Sequence, residues 1–84
     1  MTTKKHSENI LALSKLKTGE KGHIDYLQAK DDKQMHKLIS LGALPGVPIK
    51  LLQKFPSYVF KIGQSQFAVD KELAGAIFVR ILKL

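Results

Sequence analysis

The stretch Lys37 to Pro48, KLISLGALPGVP, constrains the fold more than any other part of the chain. Met35, Leu38, Ile39 and Leu41 recur at helical spacing just before Gly42. Glycine takes a positive φ without a Cβ clash, so Gly42 predicts the left-handed residue that closes a helix. Leu44-Pro45-Gly46-Val47 then sets proline and glycine at the two central positions of a turn. Proline fixes φ at the first and glycine permits φ > 0 at the second, which a type II turn requires. Ile49 to Phe55, directly behind, is apolar enough to read as a strand. One short segment hands a helix over to a sheet.

The remaining elements arrange themselves around that junction. Ile10, Leu13 and Leu16 stand three apart, as in a short helical turn or an irregular segment laid on a core, and Lys17 to Glu20 reads as a turn. Gly22 to Ala29 is the first predicted strand. Gly22, Ile24 and Tyr26 alternate, yet Leu27 also calls for burial, and this break in period predicts a bulge near Asp25-Tyr26. Asp31 opens the helix as a cap for its free N–H groups, with Gln34 three residues on to reach back in a capping box. Val47 to Phe55 is the second strand, with Ile49 and Leu51 on one face and Lys50, Leu52 and Lys54 on the other. Pro56-Ser57 ends it, Tyr58 to Ile62 is the third, Gly63-Gln64-Ser65 a hairpin turn and Gln66 to Val69 the fourth. Asp70 caps a single helical turn, Lys71 to Ala74, before a last strand, Ala76 to Leu82, that turns Ile77, Val79 and Ile81 inward. The expected fold is mainly β: a small five-stranded barrel with one helix inserted after the first strand and one helical turn before the last. Residues 1–9 are expected to be a flexible N-terminus and residues 10–84 a single domain.

Length and composition exclude several classes of function. At 84 residues there is room for one domain. No cysteine is present, so disulfides and thiolate zinc sites are excluded. No run approaches the roughly 18 apolar residues of a membrane helix, and no apolar stretch follows the charged N-terminus as in a signal peptide, so a cytoplasmic location is expected. The net charge of +7 suits acidic partners, but Arg80 is the single arginine among 14 basic residues. Arginine dominates specific recognition of bases and phosphates, so the scattered lysines read first as a solvated surface. Ser14, Ser40 and Ser57 lie in no nucleophile turn and the glycines form no phosphate loop. Neither an enzyme nor a cofactor is expected.

Four motifs, in order, carry a resemblance. These are Leu13-x-x-Leu16-x-x-Gly19-Glu20, Gly22-x-Ile24-x-x-Leu27, Leu38-x-x-Leu41-Gly42-x-Leu44-Pro45-Gly46, and Ile62-Gly63 running on through Phe67-Ala68-Val69-Asp70 to Val79. Together, from about Ile10 to Leu82, they resemble the FeoA family, the small accessory proteins of bacterial ferrous iron uptake. A related domain closes some iron- and manganese-dependent repressors. The resemblance implies an SH3-like barrel and, as partner, the transporter FeoB with its cytosolic GTPase portion. It implies no small-molecule substrate, and contact with the inner membrane face only through that partner. One departure is plain. Many relatives carry a Pro-Leu-Gly-Asp-Pro turn where this chain has only Phe55-Pro56-Ser57-Tyr58, which predicts a shorter hairpin.

Candidate sites follow from the residues. Met35, Leu41, Leu44, Leu52 and Tyr58 exceed what so small a core needs, and are the expected partner-binding surface. The competing reading has them cap the open end of the barrel, and weak self-association is compatible with either. Asp32 and His36, four apart on the helix, could share a cation with Asp31. Three or four ligands are normally needed and no third is evident, so they are only weak metal candidates and no metal site is assigned. The plainer reading of them is a helix cap and a solvated histidine. Tyr58, Phe60 and Lys61, beside Lys50 and Lys54, offer the alternative of a basic face that binds single-stranded nucleic acid. A second alternative is a free-standing regulatory module like the repressors' C-terminal domain.

Overall fold

The protein, in a computed structural model, is described over residues 8–82. It forms one six-stranded antiparallel sheet with two helices. The strands are β1 (Glu8–Ala12), β2 (Lys21–Leu27), β3 (Pro48–Gln53), β4 (Tyr58–Ile62), β5 (Ser65–Val69) and β6 (Ile77–Leu82). Helix α1 (Asp32–Ser40) lies between β2 and β3, α2 (Lys71–Ala74) precedes β6, and a 3-10 turn, Leu13–Lys15, follows β1. The spatial order is β1-β6-β2-β3-β4-β5.

Two expectations are corrected. The strands number six because the segment before Leu13 is extended: it pairs with β6 from Glu8↔Leu82 to Ala12↔Phe78, which brings Glu8 and Asn9 into the sheet. The rest of the expected flexible terminus lies outside the described residues. The sheet also stays open, with β1 and β5 as its two edges, so it does not close into a barrel.

The junction forms as its sequence requires. Gly42 has φ +87°, its N–H donates to Ile39 O (2.9 Å), and the next N–H, of Ala43, donates to Leu38 O (3.1 Å). That pair of bonds is a Schellman motif, and the apolar contact that accompanies it is here made by Leu38 and Ala43, both fully buried. Val47 N donates to Leu44 O across the Pro-Gly turn (3.1 Å), with Gly46 at φ +91°. The turn is anchored to the sheet as well, since Gly46 N donates to Ile24 O (2.7 Å) and Ile24 N to Val47 O (2.9 Å). At the other end of α1, Asp31 Oδ1 accepts from Gln34 N (2.8 Å) while Gln34 Oε1 accepts from Lys30 N (3.0 Å). The reciprocal cap thus reaches one residue further upstream than expected. Asp70 caps α2 through Leu73 N (2.8 Å).

The bulge lies where the broken period placed it. Pairing of β2 with β6 shifts between Ile24 and Tyr26, so Asp25 is the extra residue. Ile24 is thereby buried, while Tyr26, which would otherwise share its face, turns outward and stacks on Phe78 with ring centroids 4.6 Å apart. Leu13, Leu16, Leu38, Leu51, Phe60, Ile77 and Val79 are fully buried and form the core.

Candidate functional site

The apolar residues expected to bind a partner separate into two groups. Near the junction, Met35 and Leu41 are half-buried and Leu44 is 44% exposed. Ile39, which stands with Met35, Leu38 and Leu41 at helical spacing, is 45% exposed. A nine-residue helix packed on one side cannot bury two adjacent residues equally, and Leu38 takes the inward position. Met35 and Ile39, four apart, share one face of α1. Ile39 and Leu44 therefore flank the Schellman turn, whose two hydrogen bonds and glycine geometry hold that corner in one conformation.

Leu52 and Tyr58 belong elsewhere. Leu52 is half-buried at an irregularity in the β3–β4 pairing, roughly 13 Å along the strand from Pro48 at about 3.3 Å per residue. Tyr58 pairs with the buried Val69 and packs against the core. The nucleic-acid alternative loses Phe60 as a stacking surface, because it is fully buried and tilted against Phe67 at 5.7 Å. Phe55, at the tip of the short β3–β4 hairpin, is the most exposed large apolar residue described, at 85%.

Polar groups are engaged in the architecture. Asp32 and His36 are both exposed on α1, and among the described residues no three His, Cys, Asp or Glu side chains are grouped to hold a metal ion. A mixed-charge cavity of about 380 Å3 lies between the N-terminal ends of the helices, beside Asp31, Asp70 and Glu72. Two of these carboxylates are helix caps and the third pairs with Lys30 at 2.8 Å. The hydrogen bond and charge of Glu72 raise the Lys30 pKa above its ordinary value. On β6, Arg80 donates from Nε (3.1 Å) and Nη2 (2.6 Å) to Asp25 Oδ1. No described helix is long and apolar enough to cross a membrane.

Comparison with known proteins agrees with this arrangement. No curated protein sequence matches the chain. Among solved structures, the FeoA iron uptake regulatory protein is 31% identical with a TM-score of 0.78, over 86% of this chain and 97% of that one. The zinc complex of FeoA from Stenotrophomonas maltophilia, a prokaryotic SH3 domain protein, is 19% identical with a TM-score of 0.72, over 87% and 89% of the two chains. The IdeR protein of T. acidophilum shares the fold at a TM-score of 0.79 and 19% identity, over 86% of this chain but only 34% of its own. The model of the FeoA domain matches residues 11–81, so the chain belongs to the FeoA domain family, which is linked to ferrous iron transport.

Proposed function

We propose that this protein is an accessory factor of ferrous iron uptake, and that it docks on the cytosolic portion of the FeoB transporter through the corner formed by Ile39 and Leu44. The observation that carries the reading is the pair of large apolar side chains, each nearly half exposed, on either side of a rigid helix–turn junction. Such a corner presents apolar area without a large ordering cost on binding. Met35 and Leu41, half-buried beside it, extend the surface. The family membership supports the transport context, and the partner's identity comes from the resemblance rather than from these side chains.

The test is calorimetric titration of the purified protein into the cytosolic portion of FeoB, loaded with GTP analogue or GDP. Wild type binds saturably, and Leu44→Glu weakens binding by about tenfold or more while its circular dichroism and melting stay those of a folded domain. Binding unchanged by Leu44→Glu would overturn the assignment of this surface. No binding in either nucleotide state would overturn the choice of partner.

A further inference from the structure

A second surface is created by strand register alone. Lys21 pairs with Lys50, and Lys50 pairs in turn with Lys61, so three lysines stand directly opposite one another across β2, β3 and β4. All three are exposed. They lie on the outer face, since the alternate residues Ile49, Leu51 and Phe60 are buried. Like charges placed directly across a sheet destabilise it, and oppositely charged neighbours would relieve the repulsion. None is supplied. From Glu20 onward, Glu20 accepts from Lys17 N, Asp25 from Arg80, Asp31 and Asp70 cap helices, Glu72 pairs with Lys30, and Asp32 lies in the first turn of α1. No ion pair reaches Lys21, Lys50 or Lys61 from a described residue.

From this ladder we propose that the outer face of β2–β3–β4 receives an acidic helix of a protein partner, its carboxylates seated on Lys21, Lys50 and Lys61. Spacing selects the shape of the ligand. Neighbouring strands are about 4.8 Å apart, so the three lysines rise from a line about 10 Å long. A helix laid along that line offers side chains at i, i+3 and i+7 at intervals of about 4.5 to 6 Å. An extended chain offers same-face residues only every 6.6 to 6.8 Å or so, and falls out of step. Beside the ladder, a depression of about 370 Å3 brings Val47, Pro48 and Ile62 next to Lys50 and Lys61. That apolar recess suits a side chain protruding from a helix better than a lipid surface. It contains no aromatic face on which a nucleic acid base could stack. The lysine face is distinct from the Ile39–Leu44 corner, and the inference does not depend on which protein docks there.

The experiment is fluorescence anisotropy at low salt with a labelled alanine–glutamine helical peptide carrying glutamates at i, i+3 and i+7. An isomeric peptide has the same glutamates spread around the helix. The aligned peptide binds several-fold tighter than its isomer, and Lys50→Glu weakens it by about tenfold or more. Lys37→Glu makes the same charge change on an exposed position of α1 and leaves affinity within about twofold. Lys50→Gln also raises the melting temperature at low salt, since it removes repulsion in the ladder, so lost binding is not lost folding. Equal binding of the two peptides, or equal losses in Lys50→Glu and Lys37→Glu, would overturn the proposal. So would tighter, Lys50-dependent binding to phosphatidylglycerol vesicles or to poly(U) RNA. The Ile39–Leu44 reading is judged separately, because Leu44→Glu leaves the lysine face intact.

Discussion

Arg80 on β6 holds Asp25, the bulged residue of β2, through Nη2 at 2.6 Å and Nε at 3.1 Å to a single carboxylate oxygen. The bulge takes Asp25 out of the ladder, and the guanidinium fastens it to the neighbouring strand. Both side chains are partly exposed, 38% for Arg80 and 22% for Asp25, so solvent screens the pair. Asp25→Asn is expected to cost about 0.5 to 1 kcal/mol in urea unfolding. The loss shrinks as salt is raised.

Gly22 is required by close approach rather than by its backbone angle. A Cβ there would stand 2.3 Å from Arg80 O and 2.9 Å from Val79 Cγ1. The carbonyl belongs to the β6 backbone and cannot turn aside. Gly22→Ala is expected to cost about 3 kcal/mol or more and to lower the urea midpoint sharply, by forcing β2 away from β6.

Gly42 presents the opposite case. No atom lies within 4 Å of a Cβ built there, but its φ of +87° is one that L side chains rarely adopt. Gly42→Ala is expected to cost about 1 to 2 kcal/mol, from backbone conformation alone. Gly42→Asn should recover part of that loss, since asparagine tolerates the left-handed region. Chemical denaturation of the three proteins side by side measures both effects.

Leu38 and Ile39 are adjacent and differ completely in burial, 0% against 45%. Leu38→Ala is expected to cost about 2 to 5 kcal/mol through the cavity left beneath α1. Ile39→Ala should stay within about 1 kcal/mol. Similar losses for both would place Ile39 in the core and remove it from the docking surface.

Much of this architecture was legible where a residue has one physical option. Pro45-Gly46, Gly42 and Asp31 fix local geometry, and the junction follows from them with little help from the rest of the chain. The conflict between Tyr26 and Leu27 gave the position of the bulge because period-2 alternation cannot bury both. β1 was harder to read. Its pairing with β6 joins residues some seventy positions apart, and apolar residues three apart, such as Ile10 and Leu13, imitate a helical turn. The exposure of Ile39 was concealed for a similar reason, since helical spacing identifies a stripe but not which of two adjacent members faces the core. Tyr58 and Leu52 look equally surplus in sequence and are separated only by register. The lysine ladder depends wholly on register, so scattered lysines in the sequence become neighbours only once the strands are paired.

The most direct measurement is an amide-shift titration of the isotope-labelled protein with the cytosolic portion of FeoB. The account predicts saturable shifts centred on Met35, Ile39, Leu41 and Leu44, spreading through Gly42 to Val47, and their loss in Leu44→Glu. Saturable shifts confined to the β4–β5 hairpin and the edge of the sheet, with the helix–turn corner silent, would contradict it.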